Sequence, residues 1–302
     1  MIIEIRLLAA TALLLSACAA PARLGPGSLV LALSGDSARQ ASLVAQSARA
    51  VEVLYLGEVH DNPHHHAQQR RVLEALLAEG QRPVVAFEML PAERQAAVDQ
   101  ALGASGGPAD LDAALGWSRA GWPDFAMYWP LFEVARQHGL RVLATDLDPA
   151  LARRIAREGL ARSADGARLG SLLPPDARRE AAIARTIQEA HCDLLPERAI
   201  PTMVESWHAR NVAMARRLAE TLGQAPQVMV IAGRGHQAPG GLPAQLEALR
   251  PGTRQLVVEL VEVGPGEDPG EVVREATGDI VWLTPPAERP DPCEGLRRRL
   301  GK

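Results

Sequence analysis

Short, mainly apolar runs recur along this chain, each closed by a glycine or a charged residue, with longer amphipathic stretches between them. The clearest runs cover residues 51–56, 83–87, 140–145, 227–231 and 255–261. Apolar runs of this length without alternation are the pattern of strands buried on both faces, as in parallel sheets. Weaker runs at 29–33 and 279–283 predict a first and a last strand. The stretches between carry helical spacing. A helix is expected at 42–50. Another starts at Asn62-Pro63 and sets Val72, Leu76 and Leu77 on one face, and others cover 91–102, 149–159 and 201–222. Strands alternating with helices predict an α/β fold, a central mostly parallel sheet flanked by helices. The long gap before the 201–222 helix predicts a helical insertion or subdomain.

Composition adds bounds. The 302 residues are 47% hydrophobic, enough for one sizeable core, expected over residues 29–285. A net charge of −4 gives no electrostatic case for binding nucleic acid. Before this domain, Arg6 precedes an apolar run from Leu7 to Leu15, and Leu15-Ser16-Ala17-Cys18 follows. The run is too short to span a bilayer. Small residues before a cysteine at this distance look like a bacterial lipobox, so residues 1–17 read as a signal peptide and Cys18 as the lipidated residue. Residues 18–28, with Pro21, Gly25 and Pro26, read as a tether. The Ala19-Ala20 pair after the cysteine, by likeness to other lipoproteins, points to the outer membrane, with the domain facing the periplasm. In that oxidising compartment Cys192 and Cys293 either pair or stay free. Residues 286–302 read as a surface or disordered tail.

The candidate chemistry gathers at strand ends. The 51–56 run stops at Gly57 and leads into Glu58, His60 and Asp61, then His64, His65 and His66, so four of the eight histidines fall within seven residues. Glu88 closes the next run and Asp146 the third. Gly233-Arg234-Gly235-His236 closes the fourth, repeating the Gly-x-x-His form of Gly57-Glu58-Val59-His60. In parallel sheets such strand ends line one crevice. Glu58, His60, Glu88, Asp146 and His236 there suit a divalent metal that activates water. They suit equally a metal-free acid and base pair, with Glu58, His60, Glu88 and His236 as the catalytic set of a hydrolase. Aromatic residues make up only 3% of the chain, yet Trp117, Trp122, Phe125, Tyr128, Trp129 and Phe132 lie within sixteen residues. They form either the core of a helical subdomain or an apolar wall for a flat ligand. Arginines from Arg153 to Arg185 form a solvated face or reach ligand carboxylates.

Taken together, Gly57-Glu58-Val59-His60-Asp61-Asn62-Pro63, Phe87-Glu88-Met89, the 122–131 segment and Gly233-Arg234-Gly235-His236 with its Gly241-Leu242-Pro243 loop resemble the ChaN-type haem-binding lipoproteins. These belong to a wider group with TraB-like and Tiki-like proteins and erythromycin esterases. The likeness runs in order from about residue 29 to 261. It implies haem binding in iron uptake at the outer membrane, a homodimer with haem at its interface, and an outer-membrane haem receptor as partner. It implies tyrosine or histidine as iron ligand, which points to Tyr128, His60, His64, His65, His66 or His236. Trp122 and Trp129 would then face the porphyrin and Arg210 its propionates. The hydrolase branches imply ester or peptide hydrolysis, with a divalent metal in some members. Asp146 departs from the asparagine expected after its strand.

Overall fold

The computed structural model describes residues 29–300, so the expected signal peptide, Cys18 and tether lie outside the described residues. Seven strands form one sheet in the order β1-β7-β6-β2-β5-β3-β4. They are β1 Leu29–Leu31, β2 Val53–Glu58, β3 Val84–Pro91, β4 Val142–Asp146, β5 Val228–Gly233, β6 Gln255–Glu262 and β7 Ile280–Thr284. Every pairing is parallel, so the sheet is more uniform than the mostly parallel one expected. β2 leads on to β3 on one side, while β5, lodged between those two, leads on to β6 on the other. Crevices at strand ends open where connections diverge in this way.

Strand parity divides the core into two layers. Leu54, Leu56, Val85, Phe87, Met229 and Ile231 pack on the side of the Ser37–Ala48, Pro63–Ala78 and Phe125–Gln137 helices. Val53, Tyr55, Ala86, Val230 and Ala232 pack on the other side, against Met214 and Leu218 of the Ile200–Leu222 helix and Leu242 and Leu246 of the Leu242–Leu249 helix. The Pro63–Ala78 helix starts where the sequence predicts, with the Asn62 side chain accepting from the His64 amide and Pro63 in the first turn. The strand expected at 83–87 runs further, through Glu88 to Pro91, with a register shift against β4. The helix expected from residue 91 accordingly begins at Gln95, after one 3₁₀ turn.

The expected helical insertion lies between β4 and β5 and includes the Pro149–Glu158, Ala177–Ala190 and Ile200–Leu222 helices. The tail is ordered where disorder was an alternative: it ends in the Pro292–Leu300 helix, and Cys293 is disulfide-bonded to Cys192 across 101 residues. Arg289 fastens the tail further, pairing with Glu262 and with Asp61. No helix among the described residues is long and apolar enough to cross a membrane.

Candidate functional site

Parity sends the two central carboxylates to opposite faces of the sheet's C-terminal edge. Glu58, in step with Leu54 and Leu56, turns toward the aromatic helix; there it accepts from the Tyr128 hydroxyl at 2.5 Å and from Gln69 Nε2 at 2.6 Å. Glu88, in step with Ala86, turns toward the Ile200–Leu222 helix, where Arg210 donates to it at 2.7 Å and His236 Nε2 lies at 3.1 Å. The Gly233 amide donates to the second Glu88 oxygen at 2.6 Å. His60 lies between them, its Nδ1 at 2.8 Å from Glu58 and its Nε2 at 3.7 Å from Glu88. A β-carbon at Gly233 would stand 2.7 Å from His60 Nε2, so this position needs glycine to admit the ring.

Burial alone would raise the Glu58 carboxyl, but the charges and hydrogen bonds of His66 and His60 outweigh it and hold the group well below the usual range. Glu88 is held low against its burial by His236, His60 and Arg210. Burial works against the His60 cation, yet Glu88 and Glu58 raise its pKa from 6.5 to about 9. The Tyr128 phenol is pushed up by burial and by the Glu58 charge, so it stays protonated. A raised histidine pKa stabilises the fold fully below its unfolded value near 6.5, and that contribution is lost as pH rises through about 9. The two glutamates act in the opposite sense, contributing above their unfolded values near 4.5 and losing it as pH falls toward their lower folded values. The His60 ring, followed by NMR, is therefore expected to titrate near 9, and Glu58→Gln to bring the midpoint down. A wild-type midpoint near 6.5 would contradict this electrostatic picture.

Above this floor opens a pocket of about 600 Å³, within the range of small-molecule sites. Trp122 forms one wall, with its ring 5.0 Å from that of His60. Ile183 and Ile187 of the Ala177–Ala190 helix, with Met203 and Trp207, form another. Arg179, Arg234 and His191 also line it.

Of the residues singled out from sequence, Glu58, His60, Glu88, Trp122, Arg210 and His236 line this pocket. Others lie elsewhere. Tyr128 has no exposure; its ring packs against Trp117 and His66 and its hydroxyl is engaged by Glu58, so it lies under the floor rather than facing a ligand. His65 and His66 are buried with both ring nitrogens engaged. His64 is exposed and lies outside the pocket. Trp129 is also outside, under the Arg136 guanidinium at 4.9 Å. Most of the aromatic segment, Trp117, Phe125, Tyr128 and Phe132, is core. Arg210 is bound to Asp146 at 2.6 Å and to Glu88, so its charge is already neutralised and unavailable to propionates.

Asp146, Arg210 and Glu88 thus form a closed triad, with the arginine where a cation bound by both carboxylates would sit. Among the described residues no group of three or more His, Cys, Asp or Glu is placed to hold a metal ion. The residues missed from sequence are Ile183, Ile187, Met203 and His191, while Arg179 belongs to the run of arginines offered for ligand carboxylates. The spacing of Ile183 and Ile187 marks one face of a helix; His191 belongs to no motif.

Fold and site together define an all-parallel α/β protein with a ligand crevice at the C-terminal strand ends, walled by a helical insertion. Residues 44–246 match the family model described as haem-binding uptake, Tiki superfamily, ChaN, and the chain belongs to that family. Membership supports a haem-binding, uptake-type function. Among solved structures it is similar to ChaN of Campylobacter jejuni, whose structure is described as showing cofacial haem binding. That likeness is 21% identity over 78% of this chain and 88% of that one, at a TM-score of 0.62. It is also similar to the type III effector HopBA1, at 16% identity over 84% and 96% with a TM-score of 0.46. An erythromycin esterase mutant, EreC in its open conformation, is 14% identical over 86% and 83%, also at 0.46. No curated protein matches the chain.

Proposed function

We propose that the chain binds haem in the pocket between Trp122 and the Ala177–Ala190 helix, as a lipid-anchored protein of haem uptake facing the periplasm. The observation that carries this reading is the form of the pocket: apolar and aromatic walls over a polar floor whose charges are internally paired. A porphyrin requires such walls, because its large apolar faces must leave water. Trp122 and Trp207 are the aromatic surfaces available to it. Arg179 and Arg234 line the same pocket, each paired with one carboxylate, Glu180 at 3.4 Å and Glu259 at 3.6 Å, and would offer propionates the positive charge that Arg210, shared between two carboxylates, does not. The group itself would supply iron and its redox chemistry; these residues would bind and orient it. Titration of the apo protein with hemin is expected to give a saturable, shifted Soret band. Trp122→Ala with Trp207→Ala is expected to weaken binding at least about tenfold, the equivalent of losing ~1.4 kcal/mol. A wild-type titration without saturation removes the haem reading.

The lipobox-like Leu15-Ser16-Ala17-Cys18 supports the anchor, and the Cys192–Cys293 bond suits an oxidising compartment. Cys18→Ser is expected to move the protein from the membrane fraction to the soluble fraction. In the same reading the chain forms a homodimer and passes haem to or from an outer-membrane receptor. A second reading rests on the Glu58–His60 and Glu88–His236 pairs, which have the composition of acid and base sites in a hydrolase. It requires ester or peptide turnover that Glu58→Gln abolishes.

A further inference from the structure

Three histidines line the pocket: His60, His191 and His236. An imidazole ligates iron through a nitrogen lone pair, so the hydrogen on each ring nitrogen decides which of them is competent. In His236, Nδ1 faces Asn211 Oδ1 at 3.0 Å and Nε2 faces Glu88 at 3.1 Å, so both nitrogens are engaged. His60 has Nδ1 on Glu58, and its Nε2 is turned toward Glu88 at 3.7 Å and packed against Gly233, where a β-carbon would stand 2.7 Å from it. Neither ring turns an unengaged nitrogen away from the floor.

His191 differs. Its Nδ1 lies 2.7 Å from the Ile187 carbonyl oxygen. A carbonyl only accepts, so Nδ1 carries a hydrogen, and the tautomer compatible with this bond has its lone pair on Nε2. Among the described residues that Nε2 has no hydrogen-bond partner. Metal-ligating histidines characteristically donate the other ring N–H to a carboxylate or a backbone carbonyl, which fixes the tautomer and the ring plane.

The backbone around His191 is held as well. Its own amide donates to Gln188 O, the Cys192 amide to Glu189 O and the Asp193 amide to Gln188 O. Cys192 and Asp193 are the two non-glycine residues with positive φ among the described residues, at 57° and 56°. Non-glycine residues rarely adopt this left-handed region, and surrounding structure must hold them there. Here the bond from Cys192 to Cys293 ties the turn directly after His191 to the tail. Such support is what a ligating side chain requires to stay in place.

We infer that His191 is the residue through which this chain ligates haem iron, by Nε2, from the C-terminal end of the Ala177–Ala190 helix that lines the pocket. The assignment rests on the haem reading above and names the ligand within it. His191 falls outside every motif of the sequence and outside the residues to which the family likeness points.

Two measurements test it, both on the full-length chain in detergent. In the apo protein, ¹⁵N NMR is expected to show His191 as the neutral tautomer with hydrogen on Nδ1; hydrogen on Nε2 overturns the assignment. In hemin titrations, the wild type is expected to give a histidine-ligated spectrum by absorbance and EPR. His191→Ala is expected to lose that signature and to bind about tenfold or more weakly, in line with the 10–100-fold typical of disturbed metal sites. His191→Gly with added imidazole should regain the signature, a rescue that a merely structural role would not give. His64→Ala, at an exposed histidine outside the pocket, should keep it. An unchanged spectrum in His191→Ala, or loss in His64→Ala alone, overturns the ligand assignment while leaving haem binding standing. Absence of saturable binding in the wild type removes the haem reading and this assignment with it. Because the side chain makes a single hydrogen bond, His191→Ala should melt close to the wild type.

Discussion

Arg210→Met is expected to destabilise the protein by about 3–5 kcal/mol in urea unfolding, the usual cost of removing one partner from a buried ion pair. The guanidinium donates to Asp146 through Nε and one terminal nitrogen and to Glu88 through that same nitrogen. Its side chain is 25% exposed, while those of Glu88 and Asp146 are 2% and 8% exposed. Without the arginine, Asp146 loses its one cation and Glu88 keeps His236 and the more distant His60. Two carboxylates then stay largely out of water with too little positive charge beside them. The loss should depend on pH. Glu88 is held low partly by Arg210, so its contribution is present above the unfolded value near 4.5 and lost as pH falls toward its folded value. The gap between variant and wild type should therefore be widest near neutral pH and narrow in acid, where protonation removes the unpaired charge. Arg210→Lys keeps the charge but not the planar fork, and should fall between the two. A loss below about 1 kcal/mol at neutral pH, the range of exposed pairs, would show that the triad is solvated rather than buried.

Removing the Cys192–Cys293 bond by serine at both positions is the second large effect. The bond spans 101 residues. Closing a loop of that length in the unfolded chain is worth about 4–5 kcal/mol in the chain-entropy account, or roughly 10 °C in Tm for a protein of this size. Locally, the Pro292–Leu300 helix loses its covalent tie to the turn that follows His191, although Arg289 still pairs with Glu262 and Asp61. The double-serine variant should melt well below the oxidised wild type and match the wild type in a thiol reductant. Equal melting temperatures for oxidised and fully reduced protein would rule out a stabilising role for the bond.

The sheet was legible because its strands are buried on both faces. Residues such as Val84 to Phe87 form unbroken apolar runs that no helix of comparable amphipathicity shows. Strand order was not legible, since nothing in the β5 residues announces that they insert between β2 and β3. The floor of the site was readable for a positional reason: Glu58 and Asp146 end their strands, Glu88 closes the apolar run of its strand, and His60 and His236 follow two and three residues beyond theirs. The walls were harder. Tyr128 carried the expected chemistry, but its neighbours at helical spacing pack against the sheet and take it into the core with them. Arg210 was found and its partners were not, because Asp146 is 64 residues away in the chain and Glu88 is 122. His191 carries no local signal, since its tautomer is set by a carbonyl one helical turn away and the turn after it is tied to a cysteine in the tail.

The closed pairing of the floor bears on which form of iron such a protein would carry. Each Glu58 oxygen is occupied, one by Tyr128 and His60, the other by Gln69 and His66. Each Glu88 oxygen is occupied as well, by Arg210 and His236 and by the Gly233 amide. A bare ferrous or ferric ion entering this pocket would compete with a protein hydrogen bond or ion pair at each of these carboxylate oxygens. Iron already enclosed in a porphyrin would ask nothing of those carboxylates. The same internal neutrality that stabilises the fold would thus discriminate between loose metal and metal delivered inside its macrocycle, letting the cofactor pass as a unit and leaving ionic iron to other carriers.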